Sequence, residues 1–170
     1  MDLKKIIRDV HDFPKEGIVF KDITTVLQDP EALRESVDQM QSKLEGVDFD
    51  LVVGPESRGF IYGVPIAYNM RKGFIPVRKA GKLPYKTKGK TYDLEYGTAT
   101  IEMHIDSIKP GDKVVIVDDL LATGGTSEAM VQLIEELGGE VVKMVFLIEL
   151  SFLPGAEKLK DYNVESILVY

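Results

Sequence analysis

The sequence predicts an α/β fold in which a central, mainly parallel sheet is flanked by helices. Four short apolar runs have the length and composition of buried strands, at residues 48–54, 74–80, 113–117 and 141–150. Segments with helical spacing lie between them along the chain. Buried strands that alternate with helices are typical of a parallel sheet that is covered on both faces.

The N-terminal part of the chain contains two predicted helices. Apolar residues recur at the spacing of one helical face in residues 1–10, which are expected to form the first helix. Residues 13–24 are expected to be irregular because they contain proline and glycine. A second helix is expected to open at Asp29 and Pro30, a capping residue followed by proline at the first helical position, and to continue to Leu44.

The remaining elements follow from periodicity and from chain-breaking residues. Residues 59–73 have a long apolar face and predict a helix, with Pro65 tolerated only near its start or at a kink. Residues 81–91 are rich in glycine and lysine and predict a mobile loop. Other predictions are a half-exposed strand at residues 98–105, an amphipathic helix at residues 127–137 and an edge strand at residues 166–170.

Composition restricts the classes of function. The 170 residues fit one domain, spanning 1–170, of which 44% are hydrophobic and 29% charged. The absence of cysteine from the sequence excludes a disulfide framework and a cysteine-based metal site. No apolar run approaches the roughly 20 residues that span a bilayer, and the first residues lack the pattern of a secretory signal. We therefore expect a cytoplasmic protein that does not contact a membrane.

Charge is distributed unevenly along the chain. The net charge of −7 and the pI near 4.9 argue against binding to nucleic acid, whose phosphates would be repelled. Residues 71–90 nevertheless contain eight of the 21 Lys and Arg residues and no Asp or Glu. A basic segment on an acidic body suggests a small polyanionic ligand, and a solvated lysine-rich loop is the alternative.

The stretch VVIVDDLLATGGT, residues 114–126, contains the most specific motif of the sequence. A buried strand ends in two carboxylates, and a loop rich in glycine and hydroxyl groups then leads into a helix. Exposed backbone amides and the positive end of the helix dipole predict an anion site, most naturally for a phosphate monoester. The loop lacks the lysine of a nucleoside triphosphate loop and the glycine pattern of a dinucleotide site.

The two adjacent carboxylates, Asp118 and Asp119, predict a second subsite beside the anion site. Like charges repel, so these side chains are not expected to bind the phosphate. A carboxylate only accepts hydrogen bonds, and its natural small partners are a hydroxyl pair or a metal ion. A phosphate at the loop and a diol at the carboxylates match the layout of ribose 5-phosphate.

Residues 114–126 resemble the phosphoribosyl diphosphate binding signature of type I phosphoribosyltransferases. Four more segments narrow the resemblance to the adenine branch of that family: FPKEGIVFKDIT (13–24), VVGPESRGFIYG (52–63), RKAGKLP (78–84) and LEYGTATIEMH (94–104). Pro55, Glu56 and Ala80 depart from the usual pattern without removing a group that carries a role below.

The resemblance implies a type I phosphoribosyltransferase fold with a flexible lid loop. Within the single domain, residues 1–30 would form an N-terminal base-binding segment and residues 80–97 a flexible catalytic loop. The implied activity belongs to purine salvage. It is transfer of the 5-phosphoribosyl group from phosphoribosyl diphosphate to adenine, which gives AMP and pyrophosphate.

The resemblance also implies a catalytic set of four residues. Mg²⁺ would bridge the pyrophosphate and the ribose hydroxyls, while Asp118 and Asp119 grip the diol directly or through metal-bound water. Glu95 is expected to be the general acid or hydrogen-bond partner at purine N7, and Tyr96 to pack over the sugar. Closure of the lid would exclude water, which competes with the base as a nucleophile.

The other implied site residues bind substrates. Phe20 would stack on the purine, and main-chain groups of Val19 and Lys21 would read its hydrogen-bonding edge. The nucleotide phosphate would lie in the loop formed by Ala122, Thr123, Gly124, Gly125 and Thr126.

The pyrophosphate is expected to meet a loop that contains Ser57 and Arg58. Relatives often have a non-proline cis peptide in this loop, and Glu56–Ser57 is the candidate here. The resemblance further implies a homodimer, in which Arg78, Lys79 and Lys82 add positive charge at this end of the site, across the dimer interface.

Two other functions fit parts of the sequence. A non-enzymatic regulator would keep the phosphoribosyl diphosphate pocket as a sensor, and a phosphoribosyltransferase for another base would share the fold and the signature. The acidic body away from residues 71–90 disfavours a nucleic-acid-binding regulator.

Overall fold

The computed structural model describes residues 1–94 and 96–170. Its strands are β1 (Arg8–His11), β2 (Val19–Asp22), β3 (Leu51–Pro55), β4 (Gly73–Lys79), β5 (Thr87–Asp93), β6 (Thr98–His104), β7 (Lys113–Leu121), β8 (Glu140–Glu149) and β9 (Val164–Val169). Its helices are a 3₁₀ helix (Leu3–Lys5), α1 (Thr24–Gln28), α2 (Pro30–Ser42), α3 (Arg58–Asn69), α4 (Gly125–Glu136) and α5 (Gly155–Lys158).

Seven strands form the central sheet, in the order β5-β6-β4-β3-β7-β8-β9. The five strands from β4 to β9 in this order pair in parallel, whereas β5 and β6 add an antiparallel hairpin at one edge. The remaining strands, β1 and β2, pair with each other in a small antiparallel sheet. The predicted α/β fold with a mainly parallel sheet is therefore confirmed, as is the edge position of the last strand.

Alternating side chains of β7 divide the core into two layers. Val115 and Val117 are fully buried in the layer that contains α2 and α3. Val114 and Ile116 are equally buried in the opposite layer, which contains α4. Both faces of the strand are apolar because both are covered by helices. Burial of each such side chain stabilises the fold by about 1.5–3 kcal/mol, which fixes the strand from which the acid pair projects.

The helix predicted to open at Asp29 and Pro30 is confirmed as α2, with Asp29 as its capping residue, but the predictions for residues 1–10 and 13–24 were wrong. Residues 1–10 form only the short 3₁₀ helix before β1 begins, and residues 13–24 include β2 and the start of α1. Val10 pairs with Phe20 in the β1–β2 register. Pairing between segments that lie apart in sequence has overridden the local helical spacing, and the cis peptide before Pro14 lies within the connection.

One further prediction needs correction, and another is narrowed by the structure. Residues 81–91 are not all loop, because β5 begins at Thr87 and pairs along its whole length with β6. Pro65 lies inside α3 rather than near its start, so the kink is the remaining alternative of that prediction. Tyr62 and Ile66 on the same helix are fully buried, so packing of α3 against the sheet offsets the backbone hydrogen bond that proline cannot donate.

The topology brings two loops to one edge of the sheet. Val53 of β3 pairs with Ile116 of β7 in parallel register, so the segments that follow both strands emerge side by side. Gly54 keeps the strands close, since a Cβ there would lie 3.0 Å from the Val117 carbonyl oxygen. Within the described residues, no helix has the length and apolar character needed to cross a membrane.

Candidate active site

A cavity of about 260 Å³ opens at the carboxyl ends of β3 and β7. Its lining comes from the loop after β3 and from the end of β7 with the start of α4: Pro55, Glu56, Ser57, Arg58, Asp118, Asp119, Leu120, Leu121, Ala122, Thr123, Gly124, Gly125, Thr126 and Ser127. Open α/β sheets bind ligands at this edge. The predicted acid pair, phosphate loop and pyrophosphate loop therefore share one cavity.

The acid pair lies at the floor of this cavity. The backbone N–H of Asp119 donates to Oδ1 of Asp118 at 2.8 Å. Burial and the neighbouring charge of Asp119 raise the pKa of Asp118 well above its usual range. Asp119 has a different environment, because its Oδ2 lies 2.8 Å from Nε of Arg58 and only 8% of its side chain is exposed. The two carboxylates are thus distinct groups rather than a symmetric pair.

The loop before α4 has the conformation that its glycines predict. Gly124 precedes the helix with φ of +82°, a left-handed conformation that glycine adopts without strain. A Cβ at this position would lie 3.1 Å from Cα of Gly155, so the loop also packs too closely for a side chain. Gly124 carries no capping side chain, and the first amides of the twelve-residue helix α4 are left for a ligand.

The loop after β3 carries the predicted cis peptide, Glu56–Ser57. The Glu56 carboxylate accepts three hydrogen bonds: from Nε of Arg78 at 3.2 Å, from the backbone N–H of Lys79 at 2.8 Å and from Nζ of Lys82 at 3.0 Å. Partial burial by itself raises the pKa of Glu56, but the Lys79 hydrogen bond and the two cations hold it below its usual value. The cationic residues of β4 and the following turn therefore converge on this loop.

Phe20 is connected to the acid pair through Arg58. The Arg58 guanidinium carbon is 5.3 Å from the centroid of the Phe20 ring, and the same side chain is bonded to Asp119. The ring of Phe13 also contacts Phe20, in an edge-to-face arrangement with centroids 5.2 Å apart. Val19 and Lys21 flank Phe20 on β2, and Nζ of Lys21 is held 2.6 Å from Asp9 on β1. Arg58 thus links the predicted base-binding segment to the predicted sugar-binding carboxylates.

Of the two catalytic residues expected in the lid, only Tyr96 is among the described residues, and it does not line the cavity. Glu95 lies outside the described residues. Tyr96 is 79% exposed, and its ring centroid is 5.4 Å from Nζ of Lys15. Leu94 donates a backbone hydrogen bond to Gly97 at 2.9 Å. Tyr96 therefore lies near the N-terminal segment and is not among the described residues that line the cavity.

The comparisons with known proteins agree on one family. Residues 22–168 match the model of the phosphoribosyl transferase domain. The adenine phosphoribosyltransferase of Lachnoclostridium phytofermentans is 66% identical over 99% of this chain and 97% of the relative. The chain belongs to the adenine phosphoribosyltransferase family. It is accordingly a glycosyltransferase, and its sheet and helices form the type I phosphoribosyltransferase fold.

Solved structures of the adenine phosphoribosyltransferase family superpose over nearly the whole chain. The enzyme of Thermoanaerobacter pseudethanolicus is 51% identical with a TM-score of 0.97, covering 99% of this chain and 98% of its own. The enzyme of Saccharomyces cerevisiae is 37% identical with a TM-score of 0.92, covering 98% and 97%. That yeast structure was solved as a complex with adenine and an imino-altritol bisphosphate.

Two residues that sequence reasoning did not assign also belong to this adenine phosphoribosyltransferase site. Glu56 was noted as a departure from the usual pattern and as part of the candidate cis peptide, but its carboxylate was given no role, yet it accepts hydrogen bonds from Arg78, Lys79 and Lys82. Tyr92 of β5 was not noted at all, yet its hydroxyl lies 2.9 Å from Oγ1 of Thr126. An acidic residue beside a predicted anion site was a usable signal for Glu56, because it needs cationic partners. No sequence signal connects Tyr92 to a residue that lies on another element.

Proposed function

We propose that this site transfers the 5-phosphoribosyl group from phosphoribosyl diphosphate to adenine in purine salvage, releasing pyrophosphate and forming AMP. The observation that carries the proposal is that the uncapped start of α4 and the buried acid pair face the same cavity. One subsite suits a phosphate monoester and the other a sugar diol. The Phe20 ring contacts Arg58, so a planar base stacked on this ring would lie next to the sugar subsite.

The phosphate loop holds the 5-phosphate of both substrate and product. Backbone amides of Gly125 and Thr126 and the hydroxyls of Thr123 and Thr126 are its donors, supported by the positive end of the α4 dipole. Ala122 begins this loop, and its carbonyl accepts the backbone N–H of Gly155 at 3.1 Å. The loop is therefore fixed to the start of α5 before a ligand arrives.

The acid pair favours the transition state. Departure of pyrophosphate leaves positive charge on the sugar ring, and the carboxylates of Asp118 and Asp119 stabilise that charge more strongly than they stabilise the neutral ground state. They also accept hydrogen bonds from the ribose hydroxyls. Burial and the neighbouring charge of Asp119 raise the pKa of Asp118, so positive charge that develops on the sugar favours the ionised form of this carboxyl.

Pyrophosphate binds at the loop that contains Ser57 and Arg58. The Arg58 guanidinium has further N–H groups beyond the one bonded to Asp119, and two of them suit a bidentate contact with an anion. Arg78, Lys79 and Lys82 add positive charge from the adjacent β4 and its turn, where Glu56 holds them in place. Fixed positive groups at the leaving anion lower the barrier to its departure.

Adenine stacks on Phe20, and main-chain groups of Val19 and Lys21 read its edge. The N–H and C=O groups of an extended strand offer the donor and acceptor that the purine edge requires. The yeast relative bound to adenine supports a base site in this family. The Lys21 side chain is occupied by Asp9 and by the ring of Tyr170, 4.1 Å from its Nζ, so its charge is already engaged within the protein and the proposed contact to the base uses its backbone.

Mg²⁺ fits this site as an ion that the substrates bring with them. Within residues 1–94 and 96–170, no three Asp, Glu or His side chains are grouped as a metal cage. Asp119 is bonded to Arg58, and Asp118 accepts its neighbour's amide, so neither is free to form a full ligand set. Pyrophosphate and ribose oxygens would be the principal ligands, with Asp118 and Asp119 gripping the hydroxyls directly or through water. The ion would supply charge neutralisation of the leaving pyrophosphate.

The lid completes the site in the proposed reaction. Closure of residues 80–97 would bring Tyr96 over the sugar and Glu95 to purine N7, where Glu95 shares a proton or donates a hydrogen bond. The closed lid excludes water and so protects the activated sugar from hydrolysis. The exposed position of Tyr96 is consistent with a segment that moves to act.

We also propose a cytoplasmic homodimer. The substrates are intracellular metabolites, and the family resemblance implies a dimer with Arg78, Lys79 and Lys82 near the interface. Size-exclusion chromatography with light scattering measures the assembly directly. A mass of about 38 kDa supports the dimer, being twice the 19.0 kDa of one chain, and a stable monomer contradicts it.

Turnover with three bases tests the proposed activity. Pyrophosphate release is measured with phosphoribosyl diphosphate and Mg²⁺ in the presence of adenine, hypoxanthine or guanine. Adenine is expected to give the highest kcat/KM. A preference for a 6-oxopurine would reassign the base while leaving the phosphate and diol subsites intact. Saturable binding of phosphoribosyl diphosphate without release for any base would instead indicate a sensor.

A further inference from the structure

The side chain of Tyr92, which sequence reasoning did not assign, contacts the phosphate loop. Its hydroxyl lies 2.9 Å from Oγ1 of Thr126, and its ring lies against Gly125, where a Cβ would be 3.3 Å from Cδ2 of the ring. Tyr92 belongs to β5, on the edge hairpin, whereas Gly125 and Thr126 begin α4. One side chain from the hairpin therefore contacts two consecutive residues of the loop.

Two cavities meet at Thr126. The site cavity is lined by Thr126, and Tyr92 is not among the described residues that line it. A neighbouring cavity of about 590 Å³, between β4 and the hairpin, is lined by both. Tyr92 thus contacts Thr126 from the neighbouring cavity rather than from the site cavity. Its hydroxyl is bonded to Thr126, so it acts on the ligand through that residue.

Hydrogen-bond chemistry fixes the direction of this contact when a phosphate is bound. A threonine hydroxyl has one proton to donate and lone pairs that accept. A fully ionised phosphate monoester only accepts, so Thr126 must donate its single proton to it. Tyr92 must then be the donor in its bond with Thr126, because Thr126 has no second proton. A hydroxyl that accepts one hydrogen bond while it donates another is polarised and becomes a stronger donor.

We infer that Tyr92 is a positioning residue for phosphoryl binding, which donates to Thr126 and thereby orients the Thr126 hydroxyl toward the 5-phosphate of the nucleotide. The inference rests on the proposed phosphate subsite. It adds a residue from the lid hairpin to that subsite and explains why a half-buried phenol is placed against a glycine-rich loop. Removal of the phenolic hydroxyl leaves the Thr126 hydroxyl free to rotate away from the ligand.

A double-mutant cycle on AMP binding tests this role. The dissociation constant for AMP is measured by calorimetry for the wild type, Tyr92→Phe, Thr126→Val and the double variant. Thr126→Val is expected to weaken AMP binding about ten- to a hundredfold, because it removes a hydrogen bond to a charged group. Tyr92→Phe is expected to weaken it about three- to tenfold. The double variant is expected to bind no more weakly than Thr126→Val alone, since Tyr92 acts only through that hydroxyl.

Two controls separate positioning from general stability. The Tyr162 hydroxyl donates to Glu135 at 2.8 Å, near the other end of α4. Tyr162→Phe therefore also removes a phenolic hydroxyl that is bonded to this helix, but far from the phosphate loop. It is expected to leave AMP affinity unchanged. Thr126→Ser keeps the hydroxyl and is expected to restore most of the affinity lost in Thr126→Val. Thermal melting of each variant establishes that it is folded, and Tyr92→Phe is expected to raise KM for phosphoribosyl diphosphate more than it lowers kcat.

The outcomes distinguish the two proposals. If Thr126→Val weakens AMP binding while Tyr92→Phe does not, or if the two effects multiply in the double variant, the positioning role is wrong and the phosphate subsite stands. If Thr126→Val itself leaves AMP affinity unchanged, the proposed role of Thr126 is wrong and the role of Tyr92 is wrong with it.

Discussion

The guanidinium of Arg58 is bonded to Asp119, with 2.8 Å between Nε and Oδ2. The two residues come from different loops, one after β3 and the other at the end of β7, and the contact joins the proposed pyrophosphate and sugar subsites. Only 8% of the Asp119 side chain is exposed, against 40% for Arg58. The buried partner is held in place and the exposed partner keeps N–H groups for a ligand, so we expect one ion pair to position both the leaving group and the sugar.

Arg58→Ala is expected to lower kcat/KM for phosphoribosyl diphosphate about a hundredfold. The variant loses a charged donor at the leaving anion, and loss of one such donor typically has this effect on rate. It also leaves the Asp119 carboxylate largely buried without its cation. Steady-state pyrophosphate release measures the change.

Arg58→Lys is the matched control for that experiment. Lysine keeps the charge but lacks the planar fork that bonds a carboxylate and an anion together. It is expected to recover only part of the lost activity. Equal activity for Arg58→Ala and the wild type would mean that the guanidinium does not meet the substrate.

Replacement of both Asp118 and Asp119 by Asn is expected to lower kcat at least a hundredfold while the protein stays folded. Asparagine fills the same space and still accepts the backbone N–H of residue 119, but it supplies no negative charge to the cationic sugar. Because burial disfavours the ionised form of Asp118, the neutral side chain is well tolerated by the fold. Turnover and thermal melting are measured together.

A second acidic pair, which lies just before β3, provides the control. Asp48 and Asp50 contact Lys113 at the opposite end of β7, at 2.8 Å in each case. The variant with Asn at both positions removes as much negative charge far from the cavity and is expected to keep turnover within about twofold of the wild type. Normal turnover in the Asp118 and Asp119 double variant would contradict the proposed diol contact.

The extent of sequence-based prediction differs among parts of the molecule. Residues 113–136 contain, one after another, the strand, the acid pair, the glycine turn and the helix. Their geometry could be predicted because it depends on neighbours in sequence. The β1–β2 pair was missed because its register joins Arg8 to Asp22 across a connection with no strand pattern. Local helical spacing in residues 1–10 competes with that long-range pairing, and only the folded chain decides between them.

The same distinction applies within the site. Each residue of the phosphate loop was assigned from its neighbours in sequence. Glu56 meets Arg78 across 22 positions and Tyr92 meets Thr126 across 34, and both contacts depend on how strands β3 to β7 are ordered in the sheet. Contacts between elements can be predicted only when the order of the strands in the sheet is known. The sequence pattern predicted the fold class but not this order.

Gly124→Ala is expected to weaken AMP binding at least tenfold and to lower the free energy of unfolding by about 1–2 kcal/mol. The lower stability follows from a left-handed φ of +82° at a residue with a Cβ. The weaker binding follows because that Cβ would lie 3.1 Å from Cα of Gly155, so the loop must shift and its amides lose their alignment. Calorimetry with AMP and urea unfolding measure the two effects.

Gly111→Ala separates strain from function in that prediction. Gly111 has φ of +88° in a turn before β7, and a Cβ there would meet nothing within 4 Å. The variant is expected to lose a similar amount of stability while it keeps wild-type AMP affinity. If both variants bound AMP equally well, the conformation of Gly124 would not be required by the phosphate subsite.

Asp22→Asn is expected to destabilise the protein by about 1–2 kcal/mol above pH 5 and progressively less as the pH falls from 4 toward 2. Hydrogen bonds from the Thr24 hydroxyl, from Arg8 and from the Thr24 backbone lower the pKa of Asp22 to about 2. A carboxylate with a depressed pKa in the folded state stabilises that state fully above its unfolded pKa near 3.8, and this stabilisation disappears as the pH falls through the folded value. Asparagine cannot ionise, so the difference in stability between the two proteins must shrink with acidification.

Urea unfolding at several pH values measures this difference, and Asp38→Asn is the control. Asp38 lies 4.0 Å from Arg34 on an exposed helix face, so its charge contributes little to stability. A difference that stayed constant from pH 6 to pH 3 would show that Asp22 stabilises the base-binding strands by its shape rather than by its charge.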